Sequence, residues 1–323
     1  MRAPEFWSRN DLCARWIGAG LAPLGWVYGA SVAYKSARAR PYRARAQVIC
    51  VGNLTVGGTG KTPLALVIYE MLHQSGRRPV FLSRGYGGVQ RGPLLVDPAD
   101  MTAAEVGDEP LLLAHHGAVI VARDRGAGAR LADTMGFDAI VMDDGHQNFA
   151  LAKDLSLVVI DGELGFGNGR LVPAGPLRES LTQGLARADA VIVIGGTAPD
   201  LGSYREPVLH GAFVADCASW KGRRAVAFAG IGRPQKFFTT LRACGVDLAE
   251  CVAFADHHPY TADELACLAR TAKLHDAMLI TTEKDYVRLM PEQRAGICVL
   301  AIKMQLREPE RLQSLIDRAQ VRS

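Results

Sequence analysis

A chain of 323 residues is about twice the ordinary single-domain length, so two domains are expected, and its 49% hydrophobic content suits a sizeable core rather than a disordered or fibrous chain. The net charge of +4 misleads until it is divided: residues 1–47 hold eight Lys and Arg against two acidic residues, a net +6, which leaves −2 for the rest. The seven cysteines (13, 50, 217, 244, 251, 267 and 298) are odd in number and lack a C-x-x-C pair, which argues against a disulfide or zinc framework and for reduced core thiols in a cytosolic setting.

The basic excess belongs to an N-terminal arm. From Trp16 to Tyr34 run nineteen residues without a charge, WIGAGLAPLGWVYGASVAY, with arginines before them and a Lys/Arg cluster with Tyr42 after. A spanning helix needs roughly 20 strongly apolar residues. The length nearly suffices, but Gly18, Gly20, Pro23, Gly25 and Gly29 interrupt it and few strong apolar residues lie between them. A secretory signal peptide is a further possibility. A helix buried against the body is the plainer alternative. Composition favours an interfacial segment, with Trp7, Trp16 and Trp26 near headgroups and arginines facing anionic lipid.

Val48–Pro63, VICVGNLTVGGTGKTP, is the most informative stretch. An apolar run leads into a glycine-rich turn, and an amphipathic segment, Leu64–Leu72, follows at once: strand, phosphate loop, helix, as a Walker A motif requires. Backbone N–H groups of Thr55, Val56, Gly57, Gly58, Thr59 and Gly60 are placed to converge on phosphate oxygens, with the new helix pointing its positive end at them. Lys61 would reach the β- and γ-phosphates and Thr62 would offer its hydroxyl to Mg²⁺. The pattern asks for glycine where Thr55 stands.

Strand and helix patterns then alternate. Strands are expected at Pro79–Ser83, Ala118–Ala122, Phe137–Asp144, Leu155–Ile160 and Ala190–Ile194, with a helix over Asp108–His116. This predicts a P-loop NTPase-like α/β fold, a mostly parallel sheet flanked by helices. The texture changes near Val214. Strands Ala225–Ala229, Ala277–Thr281 and Ile297–Ile302, with helices Pro234–Ala243 and Thr261–Lys273, describe a second, smaller α/β domain. The expected division is 1–46 for the arm, 47–214 for the P-loop domain and 215–323 for the smaller one. A last helix, about 308–318, could pack on either.

Asp143-Asp144, closing a buried strand, has the form of a Walker B carboxylate pair that can hold Mg²⁺. Asp108-Glu109 in GDEP is a second carboxylate pair, equally suited to a helix first turn. His257 is one of two adjacent histidines in a loop before the Thr261 helix, a setting more often of surface than of catalytic residues, and Arg178-Glu179, in a Gly/Pro-rich loop, could face substrate or solvent.

The motifs GNLTVGGTGKTP (52–63), SRGYGG (83–88), GDEP (107–110), DDGHQN (143–148), PAGPLRE (173–179), FADHHPY (254–260) and TTEKD (281–285) stand in the order found in the tetraacyldisaccharide 4′-kinases, the lipid A 4′-kinases of Gram-negative bacteria, and the chain resembles that family. The family's own loop carries the Thr55 departure, and the basic aromatic arm is also similar. The resemblance implies phosphoryl transfer from ATP, with Mg²⁺, to the 4′-hydroxyl of lipid A disaccharide 1-phosphate, giving lipid IVA, at the cytoplasmic face of the inner membrane. It implies Asp108 as base, paired with His257, and Lys61 as the charge-neutralising lysine. Glu109, Asp143 and Asp144 would serve the metal directly or through water. Ser83, Arg84, Arg123, Arg178 and Glu179 become candidates for the lipid headgroup. Domain closure is expected to complete the site.

Two rivals share parts of this pattern. A membrane-bound switch ATPase would use the same loop and carboxylates but hydrolyse ATP without an acceptor. Nucleic-acid binding through the arm fits less well, because its Trp and apolar content suits lipid and no nucleic-acid motif is present. The expected partners are therefore the lipid substrate and the anionic inner-membrane surface, with neither nucleic acid nor an obligatory protein partner.

Overall fold

The structure, a computed structural model, describes residues 4–9 and 11–321. Its strands are β1 (Gln47–Gly52), β2 (Pro79–Ser83), β3 (Leu94–Leu95), β4 (Val119–Val121), β5 (Ala139–Asp143), β6 (Leu155–Asp161), β7 (Ala190–Ile194), β8 (Val208–Ala215), β9 (Arg224–Ala229), β10 (Asp247–Ala253), β11 (Met278–Thr282), β12 (Ile297–Leu300) and β13 (Ile302–Leu306). The helices are α1 (Leu12–Arg38), α2 (Lys61–Gln74), α3 (Ala103–Val106), α4 (Asp108–Ala114), α5 (Arg125–Thr134), α6 (Leu181–Leu185), α7 (Pro234–Ala243), α8 (Ala262–Leu274), α9 (Glu283–Tyr286) and α10 (Pro309–Val321). A nine-stranded sheet runs β13-β8-β7-β6-β1-β5-β2-β4-β3, parallel except at the edge pairs β13/β8 and β4/β3. An all-parallel sheet, β10-β9-β11-β12, makes a second lobe. This is the α/β class the alternating pattern predicts.

β1 explains the layering. All six of its residues are buried, as a strand covered on both faces must be. Ile49 and Val51 pack with Leu64, Ile68 and Leu72 of α2, whereas Val48 and Cys50 pack with Ala129 and Ala132 of α5. The two-residue alternation of a strand thus feeds two cores, and each fully buried Leu or Ile contributes about 1.5–3 kcal/mol of transfer free energy. In the second lobe, α7 covers one face through Phe237, Phe238 and Leu241, and α8 the other through Leu265 and Leu268.

The strand expected over Ile297–Ile302 is broken in two. β12 completes the small sheet, and after Ala301 the chain enters β13, which pairs antiparallel with β8 in the large sheet. α10 follows it there, with Leu312, Ile316 and Ala319 in the α2 core and the Ile316 carbonyl accepting from Gln47 Nε2 at 2.8 Å. The last part of the chain therefore returns to the large sheet.

Pro23 does not interrupt α1. Its small residues make close contact with the loop after β6: a Cβ on Gly25 would lie 3.1 Å from the Leu171 carbonyl oxygen and one on Gly29 2.6 Å from Leu171 Cδ1. The opposite side is bare, with Trp16 76%, Trp26 70% and Val27 70% exposed. Trp7 departs from expectation: it is buried, and its Nε1 donates to the Pro173 carbonyl at 3.1 Å, so it anchors the arm to the body. Among the described residues no helix is long and apolar enough to cross a membrane.

The reading of all cysteines as free thiols is also corrected. Cys217 and Cys244 form a disulfide with Cα atoms 5.9 Å apart, joining the segment after β8 to the end of α7. Sequence separation hid a proximity that only the folded lobe creates, and that spacing lies within the normal bridging range.

Candidate active site

The site begins where β1 ends. Gly60, at φ 93°, caps α2 in a left-handed conformation, and an added Cβ would lie 2.7 Å from Phe213 Cζ of β8, so glycine is required on two counts. Lys61 and Thr62 then open the helix. β5 lies beside β1 with Val51 opposite Asp143, which carries the β5 carboxylates to the loop. Thr62 Oγ1 donates to Asp143 Oδ2 at 3.0 Å. Asp144, at φ 51°, turns toward Lys61, whose Nζ is 3.6 Å from Oδ1, and toward Arg178, whose Nη1 donates to the same oxygen at 2.8 Å.

The PAGPLRE loop is laced to the phosphate loop: Val56 N–H donates to the Pro176 carbonyl and Arg178 N–H to the Leu54 carbonyl, both at 2.8 Å. Glu179, expected to face the headgroup, is corrected by burial. Its side chain is 2% exposed, and its oxygens accept from Arg187 Nη2 and Gln147 Nε2, so it braces the loop. Ser83 is buried at the end of β2, whereas Arg84 and Arg123 are exposed beside it in the chain and at the end of β4. Beyond these, Arg125 is 3% exposed and donates Nη1 to the Ala122 carbonyl at 2.6 Å. Burial, then Arg84, push its pKa down to about 10, against the pull of Asp144 and Asp143.

The second lobe closes the other side. Asp108 and Glu109 open α4 after Gly107, and three side chains from the small lobe meet them. His257 Nδ1 lies 2.7 Å from Asp108 Oδ2, Arg288 Nε donates to the same oxygen at 2.5 Å, and Lys284 Nζ donates to Glu109 Oε1 at 2.7 Å. Lys284 lies in TTEKD, but Arg288 carries no sequence signal of its own. A lone arginine three residues past a motif looks like surface charge until the fold turns it inward.

Charge explains the protonation pattern. Burial works to raise the Asp108 pKa, but the His257 bond and the Arg288 guanidinium hold it below the usual carboxylate range. Burial is likewise outweighed at Glu109 by Lys284, and at Asp144 by Lys61 and Arg178. Asp143 goes the other way: burial, then Glu109, push it up to about 7.

Among the described residues no cluster of three or more His, Cys, Asp or Glu side chains is arranged to cage a metal ion alone. Mg²⁺ ordinarily takes one or two carboxylates and completes its shell with phosphate and water. The donor chemistry here fits that mode, because Asp143, bonded to the Thr62 hydroxyl through Oδ2, keeps Oδ1 buried without a protein partner, and Thr59 Oγ1 in the phosphate loop is likewise buried and unpartnered. Thr62 and Asp143, with Asp144 and Glu109 close enough to act on their charge, are the residues that would hold it.

A glycine-rich loop, lysine and helix N-terminus at the carboxyl end of a parallel sheet, faced by a carboxylate–histidine pair, define a P-loop phosphotransferase. Residues 17–320 match the tetraacyldisaccharide-1-P 4′-kinase family, and the chain belongs to that family. It is 48% identical to the tetraacyldisaccharide 4′-kinase of Paramagnetospirillum magneticum across all of both chains. It is 49% identical to that of Rhodospirillum centenum, covering 98% of this chain and 96% of the relative. Among solved structures, LpxK from Aquifex aeolicus in complex with ATP superposes with a TM-score of 0.78 at 27% identity, covering 94% of this chain and 99% of that one.

Proposed function

We propose that this kinase transfers the γ-phosphoryl group of ATP to the 4′-hydroxyl of tetraacyldisaccharide 1-phosphate, giving lipid IVA in lipid A synthesis. The observation that carries the reading is the Asp108–His257 pair, drawn from two lobes and next in the chain to Glu109, whose carboxylate feels the Lys61 charge. An alcohol acceptor needs a base, whereas a switch ATPase has no use for one on a second lobe.

The backbone of residues 55–60 cradles the phosphates, and Lys61 neutralises charge on the transferring group. The Asp108–His257 pair takes the hydroxyl proton as the new O–P bond forms and the bond to ADP breaks. Thr62 and Asp143, assisted by Asp144 and Glu109, would hold Mg²⁺, which when bound would supply further charge neutralisation on the phosphates. Arg84 and Arg123 are exposed near the end of the sheet and suit an anionic headgroup; Arg178, fixed on Asp144, serves the phosphates instead.

The division that suits this reading is 1–46 for the arm, 47–214 for the P-loop domain and 215–323 for the smaller one, with residues 302–321 counted with the first. The exposed side of α1, with Trp16, Leu24, Trp26 and Val27, docks the enzyme on the anionic cytoplasmic leaflet of the inner membrane, where the acyl chains of its substrate are held. The test is to incubate the purified protein with γ-labelled ATP and lipid A disaccharide 1-phosphate. A labelled bisphosphorylated lipid is expected. Phosphate release independent of the acceptor would support the switch ATPase.

A further inference from the structure

Asp285 is fully buried and accepts four hydrogen bonds. It accepts from Gly230 N–H at 3.0 Å, Tyr260 OH at 2.8 Å, Thr282 Oγ1 at 2.6 Å and Arg288 Nη1 at 2.7 Å. The Gly230 carbonyl in turn accepts from Arg288 Nη1 at 2.8 Å and from the His257 backbone N–H at 3.0 Å. A Cβ on Gly230 would lie 2.9 Å from the Tyr260 hydroxyl and 3.0 Å from the Ala255 carbonyl oxygen, so this backbone approach needs glycine. His257 and Arg288 are thereby fixed to each other, although 31 positions apart in the sequence. Both address one atom, Asp108 Oδ2.

We propose that Arg288 is a positioning residue for phosphoryl transfer. Held by Asp285 and Gly230, it fixes one oxygen of Asp108 together with His257, and so aims the other, Oδ1, at the acceptor hydroxyl. The side chain is 5% exposed and its Nη2, on the same edge as Nε, is buried without a partner, which suits a group enclosed at a reaction centre better than a surface cation. The proton passes from the acceptor hydroxyl to the Asp108–His257 pair, and Arg288 neither gains nor loses one. This inference rests on Asp108 being the base.

The test uses the full-length enzyme with ATP and detergent-dispersed tetraacyldisaccharide 1-phosphate, comparing Arg288→Met, Arg288→Lys, Asp108→Asn and the Asp108→Asn/Arg288→Met double variant. A positioned base is worth roughly 10²–10⁴-fold, so Arg288→Met should lower kcat at least ~10-fold with KM for ATP within about twofold of wild type. Arg288→Lys should recover part of that loss. In the Asp108→Asn background, Arg288→Met should cost nothing further, because Arg288 acts through Asp108. Near-normal kcat in Arg288→Met, or losses that multiply in the double variant, would overturn the role of Arg288 alone. Transfer retained in Asp108→Asn would overturn the base assignment and this inference with it. Should Arg288→Met fail to fold, Arg288→Gln and Arg288→Lys carry the same comparison.

Discussion

Lys61 sits at the first turn of α2, next to the Asp144 carboxylate, and in the proposed reaction it neutralises charge on the transferring phosphoryl group. Its value rises as the γ-phosphoryl group leaves, so Lys61→Ala should lower kcat at least ~10²-fold. Thr62→Ala should instead weaken Mg²⁺–ATP binding, and it removes the hydroxyl that Asp143 accepts from. Steady-state kinetics at varied Mg²⁺ separate the two. At this scale the motif residues were legible, because loop glycines, a lysine and strand-end carboxylates announce their chemistry by spacing. Arg125, Arg187 and Arg288 were not. Arg125 is buried against the nearby Ala122 carbonyl, Arg187 braces Glu179, and Arg288 reaches Asp108, 180 positions away, and none of these roles is marked by a motif of its own. Glu179 shows the converse, a charged residue in a polar loop that the fold turns inward.

Among the elements, α1 reads two ways because both are present in it. Two of the glycines that weaken it as a spanning segment, Gly25 and Gly29, are its contact with Leu171, while Trp16 and Trp26 are exposed. Removing the whole arm would therefore also remove the Trp7 anchor and expose the body. A cleaner variant is Trp16→Gln with Trp26→Gln, which leaves the packed side intact. Sedimentation with anionic vesicles should fall several-fold, thermal stability should hold, and binding by the unaltered enzyme should weaken with salt because exposed charges are screened within about 10 Å at 0.1 M. The central strands β1, β5, β6 and β7 were legible as apolar runs. β8, β10 and β13 were not, since each is only partly buried and its alternation is diluted by exposed polar or small residues. The break between β12 and β13 is invisible locally, because both halves are β-prone and only the pairing partner changes.

For the molecule as a whole, the Asp108, Glu109, His257, Lys284 and Arg288 contacts couple the lobes at the proposed base, and the chain passes between the lobes twice elsewhere, after β8 and after β12. The body also carries a pH-sensitive joint. His146 is fully buried between Ser156 Oγ at 3.1 Å and the Gly184 carbonyl oxygen at 2.9 Å, and burial holds its pKa down to about 3. A histidine with a depressed folded pKa contributes stability that is complete above its unfolded value of about 6.5 and is lost as pH falls toward 3. Between those limits the unfolded state binds the extra proton, so stability should drop by about 1.4 kcal/mol per pH unit from this group. Denaturant melts at pH 7, 6, 5 and 4 should show that slope, reduced in His146→Gln.

The central claim is that a base formed between the lobes delivers the acceptor hydroxyl to ATP held by the phosphate loop. Single-turnover transfer of labelled γ-phosphate to tetraacyldisaccharide 1-phosphate, measured for the wild type and Asp108→Asn with ATP binding followed in parallel, addresses it most directly. The prediction is rapid formation of bisphosphorylated lipid by the wild type, and a loss of at least ~10²-fold in Asp108→Asn with nucleotide affinity largely unchanged. Transfer at a near-normal rate in Asp108→Asn, or a loss that higher ATP or Mg²⁺ restores, would contradict it and make Asp108 a residue of nucleotide and metal binding.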